Sequence, residues 1–352
     1  MRIIQIITLC ELGGAQSVVA NLSNRLCEEH EVIVVAGEGD GKMFDLLSPK
    51  IKVERIPSLV RRLSPFDELR TIRAMMKLNK KYHPDIVHLH SSKAGLLGRI
   101  AFPSSKIVYT VHGFDSIRLA YRKFLPLERL LQRKCASIVG VSKYDEKNLK
   151  LERITNNVST VYNGIYESGE LSLDPFAELK GTKGRVLCIA RVSKQKRLDL
   201  FLEVAKRMPE YSFIWIGNQH TPDFEIPTNV HFMGNIPDAG RYAAYADVFL
   251  LPSNYEGLPM VIIEALSKGV PVVASAVGGI SELLDGTNGF AVENDANTMA
   301  EAILKIYNSS KEEYARMSES ARNTYLDKFT VNHMVKGYLS IYNEIIKRNH
   351  RN

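Results

Sequence analysis

Two glutamates in a short apolar segment are the first residues of this 352-residue chain with the type and spacing for chemistry. Glu256 and Glu264 lie within LPSNYEGLPMVIIEA, Leu251–Ala265. The pattern predicts a buried strand that ends at Pro252, a loop with Glu256, and a helix with Pro259 in its first turn. Glu264 then lies among apolar helical residues, where a carboxylate needs a partner such as a sugar diol. The alternative is that Glu256 only caps the helix and Glu264 is exposed or pairs with a lysine.

The start of that helix is also suited to bind an anion. The first backbone N–H groups of a helix have no partner within the helix and carry the positive end of its dipole. Glu256 and Gly257 lie in the loop just before it. We therefore expect a phosphate at the helix start, with Glu256 close to whatever is attached to that phosphate.

A cationic loop follows a second predicted strand. The sequence ARVSKQKR, Ala190–Arg197, places Arg191 and Lys196 directly after the strand. Two fixed cations at a strand end would neutralise a diphosphate and stabilise it as a leaving group. The alternative is an ordinary basic surface loop, since Lys194 and Arg197 share the segment.

Two further strand ends carry candidate residues. LGGA at Leu12–Ala15 places the glycine pair Gly13 and Gly14 before a predicted helix, where a backbone can approach an anion closely. TVHGFD at Thr110–Asp115 places His112 at another strand end, where it can hydrogen-bond to a substrate hydroxyl. The alternatives are a tight turn for the glycines and a structural hydrogen bond for the histidine.

Several function classes lack their motifs. The chain has no complete GxGxxG, so a nicotinamide-dependent oxidoreductase is disfavoured, and it has no GxxxxGK[ST], GxSxG or HExxH. His88 and His90 share one face of a strand but lack a third ligand at a recognisable spacing, so no metal site is predicted. His90 is instead expected to line the acceptor side with Ser91 and Ser92. No aromatic and basic platform for nucleic acid stands out.

The positioning elements alternate between strands and helices in both halves of the chain, which predicts an α/β protein with two doubly wound parallel sheets. A polar, weakly periodic stretch predicts the boundary near Gly164–Gly184. In such sheets ligands bind beyond the carboxyl ends of the strands. The predicted strands are Ile3–Thr8, Glu31–Ala36, Val53–Ile56, Asp85–His90, Ile107–His112, Ser137–Ser142, Val186–Ala190, Phe213–Gly217, Val230–Met233, Val248–Pro252, Val270–Ser275 and Phe290–Val292. The predicted helices include Ala15–Glu28, Phe66–Tyr82, Leu119–Lys134, Leu198–Arg207, Pro259–Lys268, Thr298–Tyr307, Lys311–Phe329 and Val331–Lys347.

The composition is that of a globular protein with a large core. Its hydrophobic fraction is 45% and its charged fraction 24%. The net charge of +7 suits an anionic partner, although a basic surface alone would give the same value. The four cysteines are widely spaced, which favours reduced thiols in the cytoplasm. The amino terminus is typical of a first strand and not of a signal peptide, and no apolar run approaches the ~20 residues of a membrane span.

The set of motifs resembles the family 4 retaining glycosyltransferases (glycosyl transferases group 1), of the bacterial surface-polysaccharide type. The resemblance covers essentially the whole chain, and its most specific feature is Glu256-x7-Glu264. The chain also departs from many members, with Ala15-Gln16 after the glycine pair and Tyr166 after the junction. The other matching features, in chain order, are Gly13–Gly14, His112, Asn163–Gly164, Arg191 with Lys196, and Gly269–Ser275.

The resemblance implies the GT-B fold, in which two Rossmann-like domains face each other across a cleft. Residues 1–164 would form the acceptor-side domain, 165–329 the donor domain, and 330–352 a C-terminal helix that packs back on the N-terminal domain. The implied catalytic residues are His112, Arg191, Lys196 and Glu256. The implied donor-binding residues are Gly13, Gly14, Asn163, Gly217, Gly234, Asn235, Ile236, Gly257, Leu258, Pro259 and Glu264.

The implied reaction moves a hexose-type sugar from a nucleotide-diphosphate sugar, UDP-linked, to a glycan or lipid-linked glycan acceptor, without a metal or other cofactor. Two alternatives remain: a nucleotide-sugar 2-epimerase of the same fold, and a non-catalytic nucleotide-sugar-binding protein. The segment Arg118–Lys134 combines basic and apolar residues, which favours a helix on the inner face of an anionic membrane. An ordinary surface helix is the other interpretation.

Overall fold

A computed structural model describes residues 1–179, 182–219 and 225–351. The chain divides into two compact units. The first comprises Met1–Gly164 and Val331–Asn352, and the second comprises Ile165–Thr330. The chain therefore passes from the first unit to the second at the start of the polar segment Gly164–Gly184. Residues 180 and 181 of this segment lie outside the described residues.

In the first unit, seven described strands form one parallel sheet in the order β3-β2-β1-β4-β5-β6-β7. The central strands are apolar and almost fully buried, as expected for a sheet covered on both faces. The strands are β1 (Arg2–Leu9), β2 (Glu31–Glu38), β3 (Lys52–Arg55), β4 (Ile86–His90), β5 (Ile107–Val111), β6 (Ser137–Gly140) and β7 (Val158–Thr160).

Two helices of the first unit, Pro65–Tyr82 and Lys143–Leu151, begin at a serine side-chain cap. The Ser64 hydroxyl accepts a hydrogen bond from the Asp67 amide at 3.4 Å, and Pro65 follows it in the first helical position of α2. The helices described in this unit are α1 (Gly14–Leu26), α2 (Pro65–Tyr82), α3 (Ser92–Ala101), α4 (Leu125–Leu131), α5 (Lys143–Leu151) and α10 (Val331–Arg351).

In the second unit, six described strands form a parallel sheet in the order β10-β9-β8-β11-β12-β13. A capping box of Ser310 and Glu313 starts its longest helix. The strands are β8 (Arg185–Ile189), β9 (Ser212–Ile216), β10 (Val230–Phe232), β11 (Val248–Leu251), β12 (Val272–Ser275) and β13 (Gly289–Val292). The helices are α6 (Leu198–Arg207), α7 (Met260–Ser267), α8 (Ala296–Tyr307) and α9 (Lys311–Lys328).

The predicted α/β class with two parallel sheets is confirmed, and two local predictions were wrong. Pro259 is the residue before helix α7 and not part of its first turn, because its ψ of 122° is extended. The predicted helix Leu119–Lys134 is broken into a π-helical turn, two short 3-10 turns and α4. Pro126 explains the break, since it has no N–H and its ring clashes with the carbonyl four residues earlier.

Candidate active site

The carboxyl edge of the second sheet brings the strongest predicted residues together. Arg191 and Lys196 follow β8, Glu256 follows β11, and the amino end of α7 adjoins the same loop. The ammonium group of Lys196 hydrogen-bonds to Oε1 of Glu256, and the Ser253 hydroxyl donates to the same oxygen at 2.7 Å. Among the described residues, no group hydrogen-bonds to Oε2 of Glu256. One oxygen of this buried carboxylate is therefore held, and the other is available to a ligand.

Hydrogen bonds from two side-chain amides and one backbone N–H hold the two loops together. The Gln195 amide donates to the Tyr255 carbonyl at 2.8 Å, and the Asn254 amide donates to the Lys194 carbonyl at 2.8 Å. The backbone N–H of Asn254 also donates to the Gln195 carbonyl at 2.8 Å. These bonds fix the spacing of Lys196 and Glu256 before any ligand binds, which is the preorganisation that electrostatic catalysis requires.

The sequence analysis missed a set of small polar residues beneath this loop. The Ser275 hydroxyl, at the end of β12, accepts from the Ser253 N–H at 2.7 Å and donates to the Asn294 carbonyl oxygen at 2.5 Å. The Asn294 amide closes the set by donating to the Ser253 carbonyl at 2.9 Å. Only the position of Ser275 and Asn294 at strand ends could have indicated them from sequence.

Arg191 differs from Lys196 in having no fixed partner. Its side chain is exposed and makes no ion pair or hydrogen bond within the part of the chain that the structure describes. The loop after β8 therefore carries one cation held in an ion pair, Lys196, and one exposed cation, Arg191.

Glu264 lies inside α7 and is half-buried. Burial raises the pKa of Glu264 to about 7, and the nearby carboxylate of Asp238 adds to the shift. No side chain in the described ranges hydrogen-bonds to the carboxylate. Its neighbour is Gly240, where an added Cβ would come within 2.8 Å of the Glu264 carboxyl group. The carboxylate of Glu264 therefore has free oxygens with which it can accept hydrogen bonds from a ligand.

The predicted glycines Gly217 and Gly234 follow β9 and β10 and hydrogen-bond to each other at the same sheet edge. The N–H of Gly217 donates to the Gly234 carbonyl at 2.7 Å, and the N–H of Gly234 donates to the Asn218 side chain at 2.9 Å. Gly217 has φ of +114° and Gly234 has φ of +79°, which favour glycine. Asn235 is exposed and Ile236 is partly exposed beyond these glycines.

Two glycines after β12, Gly278 and Gly279, contact the backbone of the loop before α7. The N–H of Gly279 donates to the Gly257 carbonyl at 2.8 Å, and an added Cβ at Gly278 would come within 2.0 Å of the Glu256 carbonyl. Leu258 and Pro259 are buried, while Gly257 is partly exposed. Gly278 is a further residue that the sequence analysis missed.

In the first unit, Gly13 and Gly14 stand at the start of α1, as predicted. Gly13 precedes the helix and accepts at its carbonyl from the Ser17 N–H at 2.8 Å, and Gly14 is its first residue. An added Cβ at Gly13 would come within 2.7 Å of the Gln16 side chain. The first amides of the helix are thus free to bind an anion.

His112 follows β5 and is paired with a second histidine. Its Nε2 lies 2.9 Å from Nδ1 of His90, which is fully buried and was expected to line the acceptor side. That expectation was wrong, because His90 points into the unit and bonds to Gln5 at 2.7 Å. Burial lowers the pKa of His112 to about 4. Asn163 is also buried, at the junction that follows β7.

Two other features bear on function. Over the described residues, no group of three or more histidine, cysteine, aspartate or glutamate side chains is arranged to hold a metal ion. The described helices include none with the length and apolar character needed to span a bilayer.

Two family models match the chain. The model "Glycosyltransferase Family 4" matches residues 12–168, and the model "Glycosyl transferases group 1" matches residues 183–309. They therefore correspond to most of the first unit and most of the second.

Curated relatives match over nearly their whole lengths. The chain is 26% identical to the Escherichia coli UDP-Gal:alpha-D-GlcNAc-diphosphoundecaprenol alpha-1,3-galactosyltransferase, with 95% of each chain covered. It is 29% identical to the O-antigen biosynthesis glycosyltransferase WbnH of Escherichia coli, with 96% of this chain and 97% of the relative covered.

Solved structures share the fold. HepE of Anabaena, in complex with UDP and glucose, matches with a TM-score of 0.83 and 19% identity over 98% of this chain and 100% of that one. Sucrose-phosphate synthase of Thermosynechococcus elongatus matches with a TM-score of 0.85 and 19% identity over 99% of each. The two family models and these structures agree, and the chain belongs to the GT-B-fold glycosyltransferases that join a family 4 domain to a group 1 domain.

Proposed function

We propose that this protein transfers a hexose from a UDP-sugar to a hydroxyl of a glycan or lipid-linked glycan, with retention of anomeric configuration, in bacterial surface-polysaccharide synthesis. The observation that carries the proposal is the ion pair of Lys196 and Glu256 beside the exposed Arg191 and the start of α7. Two Escherichia coli relatives, a UDP-Gal-dependent galactosyltransferase and an O-antigen biosynthesis glycosyltransferase, support the proposed donor and pathway class.

In this proposal, the nucleoside and the sugar of the donor contact different residues of the second unit. The Glu264 carboxylate accepts hydrogen bonds from the ribose diol, and the backbone near Gly217 and Met233–Ile236 borders the base. Oε2 of Glu256 accepts from a hydroxyl of the transferred sugar, while Lys196 and Ser253 hold Oε1. A carboxylate with one oxygen fixed binds a hydroxyl at low entropic cost, which supports this division of roles.

Arg191, Lys196 and the amides at the start of α7 bind the diphosphate. As the bond between C1 and the phosphate oxygen breaks, negative charge grows on the diphosphate, and these groups stabilise it. The acceptor oxygen attacks from the same face, and the departing phosphate oxygen takes its proton. The protein's own cations thus do the work for which other enzymes use a metal ion. His112 and Gly13–Gly14 contact the transferred sugar and the donor phosphates, as the family resemblance implies.

A membrane surface is the proposed setting of the acceptor. In the segment 118–134, Leu119, Tyr121 and Leu130 are exposed by 56%, 53% and 74% beside Lys123 and Lys134. The same unit exposes Leu63 by 72% and Phe66 by 80% next to Arg61 and Arg62. Exposed apolar side chains flanked by cations suit an anionic bilayer on the cytoplasmic side.

A donor screen tests the proposal. Purified protein is incubated with UDP-, GDP- and ADP-sugars, each with and without EDTA, and release of nucleoside diphosphate is measured. We expect release from a UDP-hexose that EDTA does not reduce, and a product of unchanged anomeric configuration. Release only from a GDP- or ADP-sugar would overturn the donor assignment, and loss of release in EDTA would overturn metal independence. A 2-epimerase would instead interconvert the sugar without releasing nucleotide.

A further inference from the structure

Seven polar side chains form a buried chain of hydrogen bonds through the first unit. Gln5 on β1, His88 on β4 and Thr110 on β5 are fully buried between the sheet and α10. The chain continues through His90 and ends at His112. The other two members are Tyr338 and Tyr342, one helical turn apart on α10. A polar group buried in an apolar layer destabilises the fold unless it has a hydrogen-bond partner. The donor and the acceptor of each bond therefore matter.

The bond directions follow from Gln5. As its amide is oriented, the carbonyl oxygen lies 2.7 Å from Nε2 of His90, so this nitrogen carries a proton and donates it. A neutral imidazole has one donor and one acceptor, so Nδ1 of His90 accepts. The group that donates to it is Nε2 of His112, at 2.9 Å. Nδ1 of His112 therefore has no proton and presents a lone pair.

The other branch gives the Gln5 amide N–H a partner in this orientation. The Gln5 amide N–H donates to the Tyr342 hydroxyl at 3.4 Å, and that hydroxyl donates to Nδ1 of His88 at 2.6 Å. Nε2 of His88 then donates to Thr110 at 2.7 Å, which bonds to Tyr338 at 3.0 Å. Gln5 therefore bonds to His90 on one side and to Tyr342 on the other, and Tyr342 connects it to His88.

From this geometry we infer that Tyr342, Gln5 and His90 are positioning residues that hold His112 in its Nε2–H tautomer, with Nδ1 as a hydrogen-bond acceptor for a sugar hydroxyl. The inference rests on the proposed role of His112 in contacting the transferred sugar. It also makes His112 specific for a group that donates a hydrogen bond, so a carboxylate at that position of the sugar is disfavoured.

The three histidines stay neutral at physiological pH, so the Nε2–H tautomer of His112 does not compete with a protonated form. Burial lowers the pKa of His88 and of His90 well below the ordinary value, and the neighbouring histidines add to both shifts. Each ring already uses one nitrogen as an acceptor, so an added proton would break a bond. His112 consequently acts as a neutral acceptor and not as an acid.

The two tyrosines of α10 provide a matched pair of variants. Tyr342→Phe and Tyr338→Phe each remove one buried hydroxyl, but only Tyr342 contacts both Gln5 and His88. Tautomers are measured by long-range proton–nitrogen NMR on full-length protein labelled at its nine histidines, without any donor. We expect His112 to carry its proton on Nε2 in the wild type and in Tyr338→Phe, and to become a mixture of tautomers in Tyr342→Phe.

The inference is overturned if His112 carries its proton on Nδ1, or if Tyr342→Phe leaves its tautomer unchanged. Should Tyr342→Phe fail to fold, Gln5→Met keeps the side-chain volume, removes the acceptor of His90, and carries the same expectation. In activity assays Tyr342→Phe should lower kcat roughly ten-fold with little change in KM, since one neutral hydrogen bond is lost at the transferred sugar. If no donor is turned over, the proposed function fails, and the NMR result still decides the tautomer.

Discussion

The ammonium group of Lys196 bonds to the buried carboxylate of Glu256 across 60 residues of sequence, and the Ser253 hydroxyl supports the same oxygen. The pair joins the loop after β8 to the loop after β11 and sets the spacing of a cation and an anion before the donor binds. It also links stability to function, because each partner leaves the other's charge uncompensated when it is removed.

A double-mutant cycle measures that link. Lys196→Met should lower the free energy of unfolding by about 1–3 kcal/mol, since it leaves the Glu256 carboxylate buried with only a hydroxyl partner. Lys196→Met/Glu256→Gln should be more stable than Lys196→Met alone, because the stranded charge is gone. The measurement is urea unfolding followed by circular dichroism. Strictly additive effects of the two substitutions would contradict the pairing.

Glu264 should make nucleotide binding depend on pH. With a pKa of about 7, its carboxylate is about a tenth ionised at pH 6 and mostly ionised at pH 8. An ionised carboxylate is the better acceptor for a ribose diol, so UDP affinity should rise roughly ten-fold over this range. Titration calorimetry checks this, with Glu264→Gln as the control that retains the ligand's own titration. Equal pH profiles for both proteins would count against the proposed role.

The same shift predicts how stability changes with pH. The folded-state pKa of Glu264 lies above its ordinary value of 4.5, so the folded state binds more protons between pH 4.5 and about 7. The contribution of this group therefore stabilises the protein at low pH, is lost as the pH rises through that window, and changes little above it. Subtracting the unfolding free energies of Glu264→Gln at each pH should isolate this trend, and a rise with pH would contradict it.

Gly240 offers a way to move Glu264 without replacing it. Gly240→Ala would place a methyl group 2.8 Å from the carboxyl group, and the end of a glutamate side chain can shift to make room. We expect at least ten-fold weaker UDP binding with a melting temperature within a few degrees of the wild type. Gly169→Ala is the matched control, because an added Cβ there meets nothing within 4 Å. Unchanged UDP affinity in Gly240→Ala would show that Glu264 does not contact the nucleotide.

Membrane binding should depend on where positive charge lies. Two double variants reduce the net charge equally: Lys123→Glu/Lys134→Glu and Lys311→Glu/Lys328→Glu. Only the first changes residues in the segment 118–134. Each basic residue near an anionic bilayer contributes about 1 kcal/mol, so the first variant should partition at least ten-fold less onto phosphatidylglycerol vesicles. Co-sedimentation measures this. The membrane proposal fails if wild-type protein does not sediment with the vesicles, or if both variants bind equally.

The periodicity of apolar residues predicted much of the fold, and the predicted strand ends agree with the positions of Arg191, Lys196 and Glu256 after β8 and β11. Apolar runs located the strands, and the turn residues after them located Arg191, Lys196 and Glu256 at carboxyl ends. The helix predicted over 119–134 was wrong because the apolar periodicity continues through Pro126, whereas a helical backbone does not continue through a proline. Pro126 itself indicates the interruption in the sequence, because proline has no N–H and its ring clashes with the carbonyl four residues earlier.

The sequence could not predict which side chains meet. Lys196 and Glu256 were both candidates, but their ion pair depends on the register of β8 against β11. His88 and Tyr342 are separated by 254 residues, and no local spacing connects a strand with the last helix. Such contacts arise from tertiary packing, which is why His90 was expected to line the acceptor side although it is buried.

The central claim is that Arg191 and Lys196 stabilise the departing diphosphate. The most direct measurement is single-turnover release of UDP from bound UDP-sugar by the wild type, Arg191→Met and Lys196→Met, with Lys194→Met as the control from the same loop. The account predicts that each of the two site variants slows release about 10²–10³-fold, and that Lys194→Met does not. Release at the wild-type rate in both site variants would contradict it.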